Sequence, residues 1–158
     1  MPDMLVNLYN MPSHEALIEK LIAEDNIIIK RGMTPNMRMI CRWIEEKFGE
    51  GWASECQASF TRHPSSVFVA AADGKDIIGF ACYDATAKGY FGPTGVDPEY
   101  RGKGVGTALL YKCLEALKNE GYGYAIIGGA GPIDFYRKSC GAMDIPVPSP
   151  NIYSNMLR

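Results

Sequence analysis

A chain of 158 residues is one domain's worth of polypeptide, long enough to bury a single core. With 47% apolar and 22% charged residues it reads as an ordinary soluble globular protein. A formal net charge of −2 leaves no need for a strongly basic face, so neither nucleic acid nor an anionic membrane is an expected partner.

In chain order, Met4 to Tyr9 alternates as a short strand. Pro12-Ser13 offers a helix start, and Leu17, Ile18, Leu21 and Ile22 form one apolar stripe up to about Asp25. Ile27, Ile28 and Ile29, followed by Lys30-Arg31-Gly32, fit either a short core strand or the edge of a pocket. Thr34 as N-cap and Pro35 at the first helical position predict a second helix. Its stripe runs through Met37, Ile40, Cys41, Ile44 and Phe48 until Gly49. A third helix carries Trp52, Cys56 and Phe60 on one face and ends before His63-Pro64.

The character then changes. Val67 to Ala71 and Ile77 to Tyr83 are β-rich runs joined by Asp73-Gly74, a hairpin signal, and Tyr90 to Val96 continues the meander after Lys88-Gly89. A long helix is predicted from about Gly104 to Asn119, stopped by Gly121. Tyr124 to Ile127 reads as a strand, and the Gly128–Pro132 loop launches a helix through about Ser139. After Pro146, Pro148 and Pro150, residues Ile152 to Leu157 read as a final strand. The order β-α-α-α-β-β-β-α-β-α-β predicts a single α/β domain with a mixed sheet covered by helices.

Cys41, Cys56, Cys82, Cys113 and Cys140 are scattered and odd in number, which suits reduced thiols in a cytoplasmic protein better than a disulfide framework. The two distant histidines, His14 and His63, give no basis for zinc, and no metal is expected. No charged-then-apolar leader opens the sequence, and no apolar run approaches membrane-spanning length.

The most informative segment runs from Val96 to Thr107, where a strand passes through a turn into the long helix. The first four N–H groups of a helix lack internal partners, and the helix dipole adds about half a positive charge there. Gly102, Gly104 and Gly106 keep side chains away from that backbone, while Arg101 and Lys103 add charge suited to phosphate oxygens. A phosphate or pyrophosphate site follows on physical grounds. A Walker A loop fails because Gly102-Lys103 is followed by Gly104 and not by serine or threonine. A dinucleotide fingerprint fails in both registers, since Thr107 or Leu109 stands where the third glycine belongs.

Arg101-x-x-Gly104-x-Gly106, preceded by Val96-Asp97-Pro98, resembles the acyl-CoA signature of the GNAT N-acyltransferase superfamily. A second segment, Phe135-Tyr136-Arg137-Lys138-Ser139-Cys140-Gly141-Ala142, is similar to that family's tyrosine-bearing helix. Gly129 and Pro132 stand where many members carry asparagine and alanine. The resemblance implies a mostly antiparallel central sheet flanked by helices. It implies acetyl-CoA as acyl donor, bound by Gly95, Val96, Arg101, Gly102, Lys103, Gly104, Val105, Gly106, Thr107 and Tyr136. Tyr136 is thereby assigned to protonate the departing thiolate, and the strand near Gly95 and Val96 to polarise the thioester carbonyl.

By the same resemblance, residues 1–64 border the acceptor site, 65–142 form the acyl-CoA core and 143–158 supply a C-terminal strand. The expected reaction is direct acetyl transfer to a primary amine of a small molecule or peptide, with a homodimer compatible. A non-catalytic acyl-CoA sensor is the alternative, and a nucleotide-binding regulator would rest on the glycine turn alone. The general base is unassigned: Asp84, Glu24 and Asp25 read as solvated charges, and Asp97 and Glu99 as shaping the turn. Cys140 reads as a buried, inert thiol because no histidine is near it in sequence. Trp43 and Trp52 fall in the region that borders the acceptor pocket.

Overall fold

The computed structural model describes residues 1–146 and 149–157; Pro148, one of the three C-terminal prolines, and Arg158 lie outside the described residues. The strands are β1 (Met4–Asn7), β2 (Ile27–Arg31), β3 (Val67–Ala72), β4 (Asp76–Tyr83), β5 (Tyr90–Val96), β6 (Tyr124–Ile127) and β7 (Met143–Asp144). The helices are α1 (Glu15–Asp25), α2 (Met37–Phe48), α3 (Glu50–Ser59), α4 (Val105–Asn119) and α5 (Ile133–Cys140). One seven-stranded sheet has the order β2-β3-β4-β5-β6-β1-β7, antiparallel throughout except for β5 with β6. No helix among the described residues is long and apolar enough to cross a membrane.

β3 reads Val-Phe-Val-Ala-Ala-Ala with no polar position because both of its faces are covered. Val67 and Val69 join a core with Ile40 and Ile44 of α2 and Cys56 of α3. Phe68, Ala70 and Ala72 join the larger core with Leu21 of α1 and Leu109, Leu114 and Leu117 of α4. Each fully buried leucine stabilises the fold by about 1.5–3 kcal/mol. In β4, Ala70 pairs Gly79 while Ala71 pairs Ile77, so Ile78 is an extra residue. That single insertion reverses the alternation: Ile78 enters the α1–α4 core, and Phe80 enters the α2–α3 core.

The hairpin between β3 and β4 turns on Asp73 and Gly74, both left-handed at φ 53° and 74°. The triple isoleucine forms edge strand β2, with Ile27 buried and Ile28 exposed, away from the cavity described below. Thr34 does not cap α2. Thr34–Asn36 is a 3-10 turn, and Asn36 precedes the helix without a side-chain cap bond.

The expected strand over Ile152 to Leu157 is instead a 3-10 turn at Ile152–Asn155. The Tyr153 N–H donates to Asn151 Oδ1 and the Asn151 N–H to Ser154 Oγ, each at 3.0 Å. These local bonds compete with sheet pairing and win. The chain's short last strand is Met143–Asp144, which pairs with β1.

Candidate active site

β5 and β6 pair only through Tyr90 with Ile126 and Phe91 with Ile127. Gly92 follows in a left-handed conformation at φ 117°, and Pro93 has no N–H to offer a ladder. On the other side of β5 the register moves from Tyr83 opposite Phe91 to Ala81 opposite Thr94, which adds one residue to β5 at the same point. The two strands therefore part, and a cavity of about 990 Å³ is lined by Gly92–Val96, Ile127–Gly129, the start of α4 and Tyr136.

The Asp97 N–H donates to Ile78 O at 2.8 Å. Alternation along an antiparallel ladder then commits Gly95 to β4 and turns Thr94 and Val96 toward the split. Arg101 Nε meets Val96 O at 3.3 Å, leaving the N–H groups of Thr94 and Val96 as strand donors on the cavity side. Gly95 lines the cavity for another reason: a Cβ there would sit 2.6 Å from Phe48 Cζ, so its bareness lets the end of α2 pack on β5.

Asp97 shapes the turn into α4, as the sequence suggests. Its carboxylate accepts the Glu99 N–H at 3.0 Å and pairs with Lys47 at 3.1 Å. Those contacts, the backbone one first, hold it below the usual carboxylate range. Gly104 adopts φ 93°, and a Cβ on it would lie 2.7 Å from Leu17 Cδ1. The first intrahelical bond, Ala108 N–H to Gly104 O at 3.0 Å, leaves the N–H groups of Val105, Gly106 and Thr107 outside the helix ladder. Those three residues, with Arg101, Gly102 and Gly104, line the cavity. Lys103 does not: its Nζ pairs with Asp25 at 3.1 Å, and that contact occupies one of the carboxylates weighed as a base.

Tyr136 is 6% exposed and lines the same cavity. Its ring stands edge-on to Phe91 and Phe135, with centroids 6.3 and 5.0 Å away. Burial, with a smaller contribution from Cys140, pushes its phenol up to about 12, so it carries its proton at neutral pH. The Cys140 Sγ donates to Tyr136 O at 3.2 Å, and burial raises that thiol to about 11. It is not poised as a nucleophile. The Gly129 N–H, in the loop before α5, donates to Asp3 Oδ1 at 2.8 Å.

At the other end the cavity is lined by Trp52, Glu55, Thr86, Pro93 and Tyr153. Thr86 Oγ1 donates to Glu55 Oε1. Tyr153 seats its hydroxyl against bare Gly128, and burial followed by the Glu55 charge pushes it up to about 12. None of the carboxylates weighed as a base reaches this space. Asp84 is held by Arg62 at 3.0 Å and Tyr122 at 3.2 Å, and Glu24 faces Lys20 at 3.9 Å. Trp52 lines the cavity, whereas Trp43 packs edge-on to Phe48 and Phe80.

Glu55 is the carboxylate that sequence reasoning missed. Among the described residues it is the only one lining the cavity. It lies three residues after Trp52 on α3 and hence on the same side of the helix, which is the one signal that could have marked it.

The profile of the acetyltransferase (GNAT) family matches residues 37–142, about two thirds of the chain. The structure is similar to the GCN5-related glucosamine N-acetyltransferase region of a fungal multi-domain GH3 beta-N-acetylglucosaminidase. There the TM-score is 0.74 at 15% identity, covering 91% of this chain and 19% of that one. A GCN5-related N-acetyltransferase from Sphaerobacter thermophilus gives 0.69 at 21% identity, covering 91% of this chain and 48% of that one. A GNAT family acetyltransferase from Brucella melitensis, in complex with acetyl-CoA, gives 0.55 at 17% identity, covering 80% and 93%. The chain spans less than half the length of the first two. These likenesses establish the fold, and no curated protein matches the chain.

Proposed function

This chain belongs to the GNAT acetyltransferase family, and from that premise we propose that it moves acetyl from acetyl-CoA to a primary amine of a small molecule or peptide. The observation that carries the reading is that the unpaired N–H groups of Val105, Gly106 and Thr107 and the neutral phenol of Tyr136 open onto one cavity. A phosphate-binding helix end and a proton donor are what a CoA thioester needs at its two ends.

The residues fit such a donor. The α4 N-terminus and Arg101 bind the pyrophosphate, with Gly102, Gly104 and Gly106 keeping the approach open. The Val96 N–H hydrogen-bonds the thioester oxygen as it gains charge. The acceptor ammonium first gives a proton to water, the neutral amine attacks the carbonyl carbon, the C–N bond forms and the C–S bond breaks. Tyr136 gives its proton to the departing thiolate and regains one as the ammonium formed on the nitrogen is deprotonated. Transfer is direct, because Cys140 is a protonated thiol bonded to backbone and no cysteine lines the cavity among the described residues.

Incubation with acetyl-CoA and a panel of amines, followed by free thiol, tests the reading. Thiol release that depends on an amine is the expected result. Saturable acetyl-CoA binding with no release on any amine would replace it with the non-catalytic sensor reading.

A further inference from the structure

We propose that Glu55, held by Thr86 and faced by Tyr153, is the acceptor-ammonium subsite, and that it selects a monocationic amine with an apolar or aromatic body and no acidic group. The inference rests on the acetyl-transfer reading and adds a substrate class to it.

Glu55 is half-buried on α3, and among the described residues it belongs to no ion pair. Its hydrogen-bond partner Thr86 is neutral, so a cationic ligand supplies a charge partner that the described residues do not. The Thr86 hydroxyl takes Oε1 and fixes the group's direction, leaving Oε2 for an incoming N–H. At the same end stand Trp52, Pro93 and Tyr153, apolar and aromatic walls that desolvate a ligand's apolar part. Tyr153 remains neutral beside Glu55, so it adds no second negative charge to the subsite.

The selectivity follows from what faces that charge. Among the described lining residues the only cationic side chain is Arg101, which lies at the cradle and donates to Val96 O. An acceptor carrying a carboxylate or phosphate beside its amine meets Glu55 with no cationic side chain next to it, a repulsive element as well as a missing attraction. Amino acids are thereby disfavoured against the corresponding amines.

The test is calorimetric titration of the CoA-saturated protein with phenethylamine, phenylalanine and phenylalaninamide, which differ in the acid group and share the amine and ring. Phenethylamine and phenylalaninamide should bind, with phenylalanine at least tenfold weaker. Glu55→Gln should weaken the two cations about tenfold or more while leaving CoA affinity unchanged, which also reports a folded protein. Thr86→Val should weaken them a few-fold. Equal affinity for phenylalanine, no binding of any of the three to CoA-loaded protein, or indifference to Glu55→Gln overturns the subsite. Failure of the wild-type chain to bind CoA at all would instead remove the acetyl-transfer reading beneath it.

Discussion

Tyr136 stands edge-on to Phe91 at a centroid distance of 6.3 Å, and Phe91 is the last residue of β5 that still pairs with β6. The phenol is therefore anchored at the vertex of the split, where the sheet stops closing on itself. A proton donor fixed at that point can serve a thioester lying between the parted strands, and its position depends on packing more than on its own hydrogen bonds.

Replacing the phenol tests its chemistry. Tyr136→Phe keeps the ring contacts with Phe91 and Phe135 and removes the proton. Amine-dependent thiol release should fall about a hundredfold or more, while acetyl-CoA affinity measured by titration stays within about threefold. An unchanged rate would take the acid role away from Tyr136.

The same hydroxyl predicts a pH effect on stability. Its folded pKa of about 12 lies above the unfolded value of about 10. Its contribution is thus fully present below pH 10 and is lost as the pH rises toward 12. By pH 11.5 the loss attributable to Tyr136 reaches about 2 kcal/mol. Denaturant midpoints at pH 9 and 11.5 should show a smaller alkaline loss in Tyr136→Phe than in the parent.

Gly106→Ala should separate stability from binding. Gly106 is helical, and an added Cβ would meet Phe135 Cζ and Val96 Cγ2 at an ordinary 3.8 Å. The melting temperature should hold or rise, by up to about 1 kcal/mol in stability. Acetyl-CoA affinity should drop about tenfold, because the methyl enters the space left for the phosphates. Gly104→Ala should instead destabilise by about 1–3 kcal/mol, since it strains φ and collides with Leu17. Thermal melts with and without acetyl-CoA distinguish the two.

The two cations of the cradle should differ. Lys103→Ala removes a half-exposed pair with Asp25, and should cost under about 1 kcal/mol of stability and alter CoA affinity less than about threefold. Arg101→Ala should weaken CoA about tenfold. Equal losses in titration would return Lys103 to the phosphates.

The glycine-rich start of α4 was more legible in the sequence than the Glu55 end of the cavity, for a physical reason. The strand Tyr90–Val96 is found at its expected bounds and α4 within one residue of them, because glycine positions and helix ends are local chemistry. The Asp73-Gly74 hairpin was equally legible. Glu55 was not, because a carboxylate on a helix surface looks solvated until β5 and the Tyr153 turn are brought against it. Nor could spacing show that Asp25 and Lys103, 78 residues apart, neutralise each other. The C-terminal turn defeated a strand reading because its Asn151 and Ser154 bonds lie within four residues.

Leu17 under Gly104 has a consequence for how this chain can be dissected. The phosphate cradle lies in the stretch that the family profile recognises, yet its floor is a side chain from α1, which precedes that stretch. Asp25, at the end of α1, reaches the same segment through Lys103. The recognisable motif is thus not a transplantable module. A fragment beginning at Met37 would encode every glycine of the motif without the surface on which it is built.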